Sequence, residues 1–513
     1  MAEERRGQRG SGYGLGLSTR TQVTGYQFLA RRTAMALTRW RVRMEIEPGR
    51  RQTLAVVASV SAAGVICLGA LLWSFISPSG QISESPIIAD KDSGALYVRV
   101  GDRLYPALNL ASARLITGRP DNPHSVRASQ IAALPHGPMV GIPGAPSEFA
   151  PKTPQTSSWL VCDTVGGSAT SSGVPSTPPS SQGVTVTVIN GSPDLSSHRK
   201  VLSGSDAVVL NYGGDAWVIR EGRRSRIDAT NRSVLLPLGL TPEQVSQARP
   251  MSRALFDALP VGPELVVPDV PNAGSPATFP GAPGPVGTVI VTPQISGPQQ
   301  YSLVLPDGVQ TLPPLVAQIM ENAGGAVNTR PITVEPSALA KMPVVNKLDL
   351  SSYPDNPLNV MDIRENPSTC WWWERTAGET RARVQVVSGP TIPIKTSDQP
   401  KVVSLVKSDT SGREADQVFF GPNYANFVAV TGNNPAAQTT ESLWWLTEAG
   451  ARFGVDDTKE AREALGLNGT PSVAPWVALR LLPQGPTLSR ADALVQHDTL
   501  PMDMTPAELV VPK

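Results

Sequence analysis

The residue types that could carry chemistry in this chain begin with cysteine, of which there are three among 513 residues. Cys370 stands in the stretch STCWWWER (368–375), directly before three tryptophans, in a chain where Phe, Trp and Tyr make up only 5% of residues. Such a cysteine is a reactive thiol in an aromatic pocket, part of a ligand-binding aromatic surface, or half of a disulfide beside a core. The compartment decides among these interpretations, because disulfides persist only in oxidising surroundings.

The other chemistry-bearing residues form no catalytic or metal motif. A phosphate-binding P-loop ends in Gly-Lys-Ser/Thr, and no lysine of this chain follows a glycine. The sequence also lacks Gly-x-Ser-x-Gly, Cys-x-x-Cys and His-x-x-x-His. The four histidines lie far apart in loop-like sequence: His124, His136, His198 and His497. We therefore predict no catalytic residue, no metal site, no cofactor and no nucleic-acid partner.

One apolar segment places the chain in a membrane. Residues 54–76, LAVVASVSAAGVICLGALLWSFI, carry no charge, and as a helix of about 1.5 Å per residue they exceed the roughly 30 Å hydrocarbon core. Residues 1–51 hold eleven Arg, four Glu and no Lys, whereas the flank after the segment has no basic residue. The positive-inside rule then predicts a cytoplasmic N-terminus, a transmembrane helix at 53–77 and a large extracytoplasmic body.

That compartment bears on the cysteines. Cys162 and Cys370 are the only two thiols of the extracytoplasmic body, and each lies in an apolar run typical of a β-strand. Neighbouring strands bring two cysteines within bridging distance, so we predict a structural disulfide between them. Strand alternation then puts Trp371 and Trp373 on one face and Trp372 with Cys370 on the other, as a core aromatic cluster. A ligand surface of exposed tryptophans stays open as the alternative.

The apolar helix carries a narrow stripe of small residues. They recur at intervals of four and are Ala55, Ser59, Ala63 and Cys67. Small side chains let transmembrane helices approach closely, so the stripe predicts a packing face for another helix. Small residues are also frequent in membrane helices without such a role, and the sequence leaves both interpretations open.

A second helix is predicted in the cytoplasmic arm, residues 1–52. Thr24 followed by Gln27 matches a capping box and Pro48-Gly49 marks a stop, which predicts a helix over 25–46. Its apolar residues fall along one side with arginines at the flanks. This docking face comprises Tyr26, Leu29, Arg32, Leu37, Arg39, Trp40, Arg43 and Met44. Such a helix lies on an anionic membrane surface or docks on a partner protein, and the residues do not separate the two.

A pattern recurs four times in the body. Each copy has an alternating apolar strand, a turn glycine, a second short strand or bend, and a segment of helical character. The four segments are residues 95–116, 216–240, 301–320 and 443–467. Their turn glycines are Gly101, Gly222, Gly308 and Gly450. Chance similarity of hairpins is the alternative, but four matching layouts favour a duplicated unit.

The sequence therefore predicts a single-pass membrane protein with an amphipathic N-terminal helix, one transmembrane helix and a mixed α+β body. In that body, four small repeat domains surround a disulfide-closed central β domain. The predicted bounds are 78–120 for repeat 1, 191–260 for repeat 2, 261–345 for a Pro-rich connection with repeat 3, 433–480 for repeat 4, 121–190 and 346–432 for the central domain, and 481–513 for an extended tail. A low-complexity loop at 166–183 is predicted to be disordered.

These features together resemble a known family. The arm LSTRTQVTGYQFLARRTAMALTRWRVRMEIEPGRRQ (17–52), the apolar span, the paired cysteines and the four recurring segments resemble EccB, a membrane component of the mycobacterial type VII (ESX) secretion machinery, in particular that of the fifth ESX system. The resemblance implies an inner-membrane core complex with EccC, EccD and EccE, oligomerisation with other EccB copies, and a periplasmic body that meets the mycosin protease. The family repeats also resemble a phage-lysin cell-wall-binding fold, which suggests contact with peptidoglycan.

Three functions remain in view. The first is a structural and assembly subunit of the secretion complex. The second is a cell-wall-binding module, which needs an exposed aromatic groove, for example at Trp444 and Trp445. The third is an ATPase, because EccB proteins are often described as such, although no P-loop in this sequence supports it.

Overall fold

A computed structural model describes most of the chain. The described residues are 19–39, 49–76, 85–166, 183–196, 198–294, 297–324, 327, 330–406 and 413–500. They form two compact units, Met1–Ser79 and Gly80–Lys513. Most of the low-complexity loop, residues 167–182, and the last part of the predicted tail, residues 501–513, lie outside the described residues.

Helices of the N-terminal unit are α1 (Arg20–Arg39) and α2 (Gly49–Ile76). Helix α1 begins five residues before the predicted start, because the backbone amide of Thr19 donates to Gln22 Oε1 at 2.9 Å. The capping box predicted at Thr24 is therefore wrong; its Oγ1 donates instead to the carbonyl of Arg20 inside the helix, at 2.9 Å. Helix α2 begins directly at Gly49, where the sequence predicted only a stop.

The remaining helices are short and all lie in the body. They are α3 (Leu110–Thr117), α4 (Ala128–Ile131), α5 (Arg232–Leu235), α6 (Pro242–Ser246), α7 (Arg253–Ala258), α8 (Pro314–Asn322), α9 (Pro336–Leu339), α10 (Lys459–Leu465), α11 (Trp476–Leu479) and α12 (Arg490–Ala493), with one 3-10 helix at Thr396–Lys401. Their shortness fits a chain with 50 prolines among 513 residues, because proline interrupts helices.

The strands of the body are numbered in chain order. They are β1 (Ile87–Asp90), β2 (Leu96–Val100), β3 (Arg103–Ala107), β4 (His124–Val126), β5 (Met139–Val140), β6 (Thr156–Val165), β7 (Val184–Asn190), β8 (Lys200–Val201), β9 (Asp206–Tyr212), β10 (Asp215–Arg220), β11 (Arg223–Ile227), β12 (Arg249–Pro250), β13 (Val289–Thr292), β14 (Gln300–Leu305), β15 (Gly308–Leu312), β16 (Ile332–Thr333), β17 (Asn359–Val360), β18 (Ser368–Thr376), β19 (Arg383–Gly389), β20 (Val403–Ser404), β21 (Gln417–Phe420), β22 (Phe427–Thr431), β23 (Thr440–Leu446), β24 (Arg452–Val455), β25 (Ser472–Pro475) and β26 (Gln496–His497).

Four small sheets share one strand order. In each, a hairpin (β2–β3, β10–β11, β14–β15 or β23–β24) lies antiparallel to a preceding strand (β1, β9, β13 or β22). One helix follows the hairpin, or two (α5 and α6) in the case of β10–β11, and a short strand (β4, β12, β16 or β25) then pairs parallel with that preceding strand. We call these the first, second, third and fourth small sheets. The chain of each returns after a further short helix to bridge the last hairpin strand, at Leu104↔His136, Arg224↔Val261, Val309↔Val344 and Arg452↔Gln484.

Turn glycines play two different roles. Gly101, Gly222 and Gly450 have φ of 60°, 76° and 89°, a backbone region that glycine adopts without strain. Gly308 differs from the prediction, because it is the first residue of β15 and not a positive-φ turn residue. A Cβ at Gly308 would collide with the carbonyl oxygen of Pro343, so a close backbone approach favours glycine there.

A seven-stranded sheet lies between the small sheets in sequence. Its order is β20-β21-β7-β6-β18-β19-β8, with only β21 and β7 parallel. Several predicted bounds differ from this arrangement. Residues 124–140 belong to the first small sheet and β22 to the fourth, because short strands with few residues to show alternation complete those sheets.

Shared cores fix the order of the small sheets in space. The first and fourth share one core, with Ile87 packed in the same cluster as Phe427. The second and third share another, which contains Leu235 and Leu303. The second and fourth meet at a third core, on one face of the central sheet. The spatial order is therefore first, fourth, second, third.

The predicted extended tail is wrong for residues 482–500. Gln484 and Leu488 bridge β24, helix α12 packs near α3, and β26 pairs with β5. Leu488 and Ala493 are fully buried. The segment completes the fourth small sheet and extends the first, because its leucine and alanine side chains fill the core that those two sheets share.

Candidate functional site

The cysteines meet at the centre of the seven-stranded sheet. Strands β6 and β18 are antiparallel neighbours, and their register sets Cys370 directly opposite Cys162. The two sulfur atoms are bonded, with an S–S distance of 2.08 Å, across a sequence separation of 208. Both residues are buried, at 0% and 1% exposure, so neither carries a free thiol and neither sulfur is accessible to a substrate. The reactive-thiol interpretation is thereby excluded, and the disulfide is structural.

The tryptophan triplet follows the alternation of β18. Trp371 and Trp373 lie on one face with Trp159, in the core between the second and fourth small sheets. Trp372 lies on the opposite face with the disulfide. Exposures of 1%, 8% and 1% for the triplet leave no open aromatic surface. Trp372 Nε1 also donates to Ser158 Oγ at 2.9 Å, so the triplet packs the sheet around its disulfide.

An exposed groove at Trp444 and Trp445 is not present. These side chains are only 8% and 3% exposed. The guanidinium of Arg452 lies 4.6 Å from the Trp444 ring centroid and 5.2 Å from that of Trp476. The cation fills the space between the rings, where a sugar would have to stack. The aromatic site predicted for cell-wall binding is therefore wrong at these residues.

Asp163 is a buried acid that the sequence analysis missed. It follows the disulfide cysteine by one residue in β6 and is 2% exposed. Its carboxyl oxygens accept hydrogen bonds from the backbone amide and the Oγ of Ser252, both at 2.6 Å. Burial, with a smaller contribution from the charge of Asp416, raises the pKa of Asp163 to about 7 against the lowering effect of the two Ser252 hydrogen bonds. The sequence signal for this buried acid is a single charged residue, Asp163, in the otherwise uncharged run SSWLVCDTV (157–165).

The Asp163–Ser252 pair is an anchor and not a nucleophile. Ser252 is the N-cap of α7, and its Oγ accepts from the amide of Leu255 at 3.1 Å. A serine nucleophile needs a basic partner and an approach for substrate, and Ser252 as a whole residue is only 9% exposed. The pair therefore ties the second small sheet to the central sheet.

Metal and histidine chemistry find no support in the described part of the chain. No group of three His, Cys, Asp or Glu residues within it is placed to hold a metal ion. His497 Nε2 lies 2.9 Å from the carbonyl oxygen of Gly141, where it joins the C-terminal segment to the first small sheet. Apart from the turn glycines, the predicted site residues thus lie in two places. The disulfide and the tryptophan triplet lie at the centre of the body, and the remaining residues belong to the N-terminal unit.

Helix α2 holds the predicted packing stripe. Thr53–Leu72 has a mean hydropathy of 2.3 and is the one described helix long and apolar enough to cross a membrane. Its side chains over that range are all exposed, including Cys67, whose thiol is free. Ser59 Oγ donates to the Ala55 carbonyl at 2.9 Å, so its hydroxyl is satisfied within the helix. Ala63 continues the same side of the helix.

Helix α1 presents part of the predicted docking face. Tyr26, Leu29 and Leu37 are 76%, 63% and 81% exposed. Arg32 lies one turn from Phe28, with its guanidinium 5.6 Å from the ring centroid. Arg39 ends the helix, and the remaining predicted members, Trp40, Arg43 and Met44, lie outside the described residues.

Among the described residues, one helix apolar enough to cross a membrane, a large α+β body and a structural disulfide at the centre of that body define a membrane-anchored protein. The profile of the family described as "Type VII secretion system ESX-1, transport TM domain B" matches residues 15–502. The chain belongs to this family, the EccB family, which confirms the resemblance in its sequence.

Individual relatives cover most or all of the chain. A Mycobacterium tuberculosis protein named "ESX-5 secretion system ATPase EccB5" is 85% identical over 513 residues, with 100% of both chains covered. A chain in the solved structure of an intact ESX-5 inner membrane complex is 81% identical, covers 98% of this chain and 100% of its own length, and has a TM-score of 0.79. A chain from the structure of the EccB3 dimer of the ESX-3 core complex is 34% identical, covers 80% of this chain and 100% of its own, and has a TM-score of 0.69.

Proposed function

We propose that this chain is a structural and assembly subunit of the inner-membrane core complex of a type VII secretion system of the ESX-5 kind. The observation that carries the proposal is the 81% identical chain in the intact ESX-5 inner membrane complex, matched over 98% of this chain. The apolar helix Thr53–Leu72 supplies the membrane anchor that such a subunit needs.

The N-terminal unit is proposed to bind partner subunits. All side chains of α2 from Thr53 to Leu72 are exposed, so lipid or other helices must cover them in the membrane. The small-residue stripe from Ala55 to Cys67 is the side on which a partner helix approaches most closely. Subunits like EccC, EccD and EccE are the proposed partners, with the arm cytoplasmic and the body periplasmic.

The body is proposed to act as a rigid periplasmic scaffold that meets other copies of this chain. Four repeat domains, one for each small sheet, surround the central domain in this proposal, and the disulfide closes that domain. The shared cores support rigidity, since each small sheet buries apolar side chains in the same cluster as a neighbouring sheet. The dimer of the ESX-3 relative supports contact between copies.

The test is affinity purification of the tagged full-length protein from mycobacterial membranes in mild detergent, with mass spectrometry and native sizing. Wild type should recover EccC-, EccD- and EccE-like proteins in a megadalton-scale particle. Deletion of residues 1–48 keeps the basic pair before the span and should lose these partners while the body stays folded. A lone monomer or dimer with nucleotide hydrolysis would overturn the assembly role and support the activity in the relatives' name.

A matched pair of variants tests the packing face. Ser59→Leu places a bulky side chain on the stripe, whereas Ser61→Leu makes the same change on the opposite side of the helix. The expected result is loss of partner subunits from the first variant only. Equal recovery of partners with both variants would show that the stripe is not an interface.

A further inference from the structure

A groove of about 710 Å³ lies between the second small sheet and the central sheet. Four separate segments line it: the β10–β11 turn (221–224), the end of α7 with the residues after it (257–261), the start of β19 (381–384) and the loop 433–435. Four arginines line it as well, and we call it the arginine groove after them: Arg223, Arg224, Arg381 and Arg383.

The two acidic side chains that line the groove, Glu221 and Asp257, form ion pairs with arginines that do not line it. Glu221 Oε2 lies 3.0 Å from Arg220 Nη2. Asp257 Oδ2 lies 2.7 Å from Arg480 Nη2 and 3.4 Å from Arg253 Nε. These pairs leave the two carboxylates little capacity to neutralise the exposed arginines of the groove, although burial lowers the pKa of Arg224 and Asp257 acts to raise it.

The arginines of the groove have few partners of their own. Arg223 and Arg381 are exposed, and no ion pair joins either to another described residue. Arg383 approaches Glu374 only at 3.9 Å and stays 68% exposed. The groove therefore carries a surplus of positive charge on side chains that are free to turn toward a ligand.

Arg224, unlike the other three arginines of the groove, has its guanidinium held in one position. Its guanidinium stacks 3.7 Å from the Phe256 ring centroid, and Nη1 donates to the carbonyl oxygens of Phe256 and Leu259. Carbonyl acceptors orient the guanidinium without cancelling its charge. Its buried Nε has no hydrogen-bond partner. One guanidinium held in place, together with three arginines whose side chains can reorient, is an arrangement that binds an anion with several oxygens.

We propose that the arginine groove is a binding site for a phosphate ester. Several guanidinium groups offer more donors than the two oxygens of one carboxylate accept, whereas a phosphate presents three or more oxygens around one centre. The volume of about 710 Å³ exceeds inorganic phosphate and lies in the range of small-molecule sites, so the phosphate carries an organic group. A lipid headgroup and a soluble phosphate ester share this chemistry.

The test is isothermal titration calorimetry on the full-length protein in detergent, at low salt. The probes are glycerol 3-phosphate and monomeric dihexanoyl phosphatidylglycerol, which carry the phosphate without and with lipid chains. The double variant Arg381→Gln/Arg383→Gln should weaken binding of both by about tenfold or more, since each charge-assisted contact is lost. Arg119→Gln/Arg127→Gln, two exposed arginines elsewhere, is the matched control and should bind as wild type.

Each outcome of the titrations either supports the proposed site or overturns it. Equal affinity for the two probes supports a soluble phosphate ester, and tighter binding of the lipid supports a headgroup. Wild-type binding no stronger than that of the double variant would overturn the site. Binding of a hexaglutamate peptide without binding of either phosphate probe would overturn the ligand class and indicate an acidic protein segment.

Discussion

Asp163 makes the stability of the body depend on pH in a direction unusual for a carboxyl group. The perturbation is Asp163→Asn, which keeps an oxygen to accept from the Ser252 amide but removes the titrating proton. Burial raises the pKa of Asp163 to about 7 in the folded protein, whereas an unfolded Asp titrates near 4. The folded state therefore binds more protons between these values, and the free energy of unfolding falls as pH rises.

The size of the effect follows from the two pKa values. A difference of about three pKa units corresponds to roughly 4 kcal/mol over the full titration. Between pH 5 and pH 8 the wild-type protein should lose about 3 kcal/mol of this contribution. No discount for solvent screening applies, because the carboxyl is 2% exposed.

The assay is urea denaturation of the full-length protein at pH 5 and pH 8, followed by tryptophan fluorescence. Asp163→Asn should remove most of the wild-type decline over this range. Asp349→Asn is the control: hydrogen bonds from Ser351 lower the pKa of Asp349, so its contribution changes only below pH 4. A variant at Asp163 that kept the full wild-type slope, or a wild type that grew more stable toward pH 8, would refute the reasoning.

Three further outcomes are expected in urea denaturation. Replacing both disulfide cysteines by alanine frees a loop of 208 residues and should cost about 5 kcal/mol; an unchanged midpoint would contradict a stabilising role. Gly222→Ala puts a methyl group 2.8 Å from the Val384 carbonyl oxygen, whereas Gly101→Ala meets open space, so the first should destabilise more; equal losses would argue against the close approach. Leu488→Ala should cost about 2–5 kcal/mol, and Leu494→Ala, half exposed, much less; the reverse order would disprove the packing of the C-terminal segment.

Features with a strong local pattern could be predicted from the sequence. The apolar helix needs only an uncharged run of sufficient length. The faces of the tryptophan triplet follow from the two-residue period of a strand, once Cys370 is taken to point toward its disulfide partner. The disulfide itself needed no register, because only Cys162 remained as a partner in the oxidising compartment.

Features decided by competition or distance could not be predicted. Thr19-x-x-Gln22 and Thr24-x-x-Gln27 both match a capping box, and in the structure the Gln22 side chain accepts from the Thr19 amide, whereas Thr24 lies inside the helix. Strands of two or three residues, such as β12 and β16, are too short to show a period. The partner of Asp163 lies 89 residues away, and no local pattern connects a polar residue in a strand with the cap of a remote helix.

The order of the small sheets in space also bears on when the body can form. The fourth lies between the first and second, although its residues come last in the chain. Strand β5 and helix α3 thus gain their partners β26 and α12 only after residue 490. Contacts of such long separation form late, because closing the chain costs entropy before they are made. The disulfide adds a covalent link of the same long-range kind, since it joins β6 to β18 across a sequence separation of 208. Contacts between early and late segments thus close the body, which is what the proposed scaffold role requires.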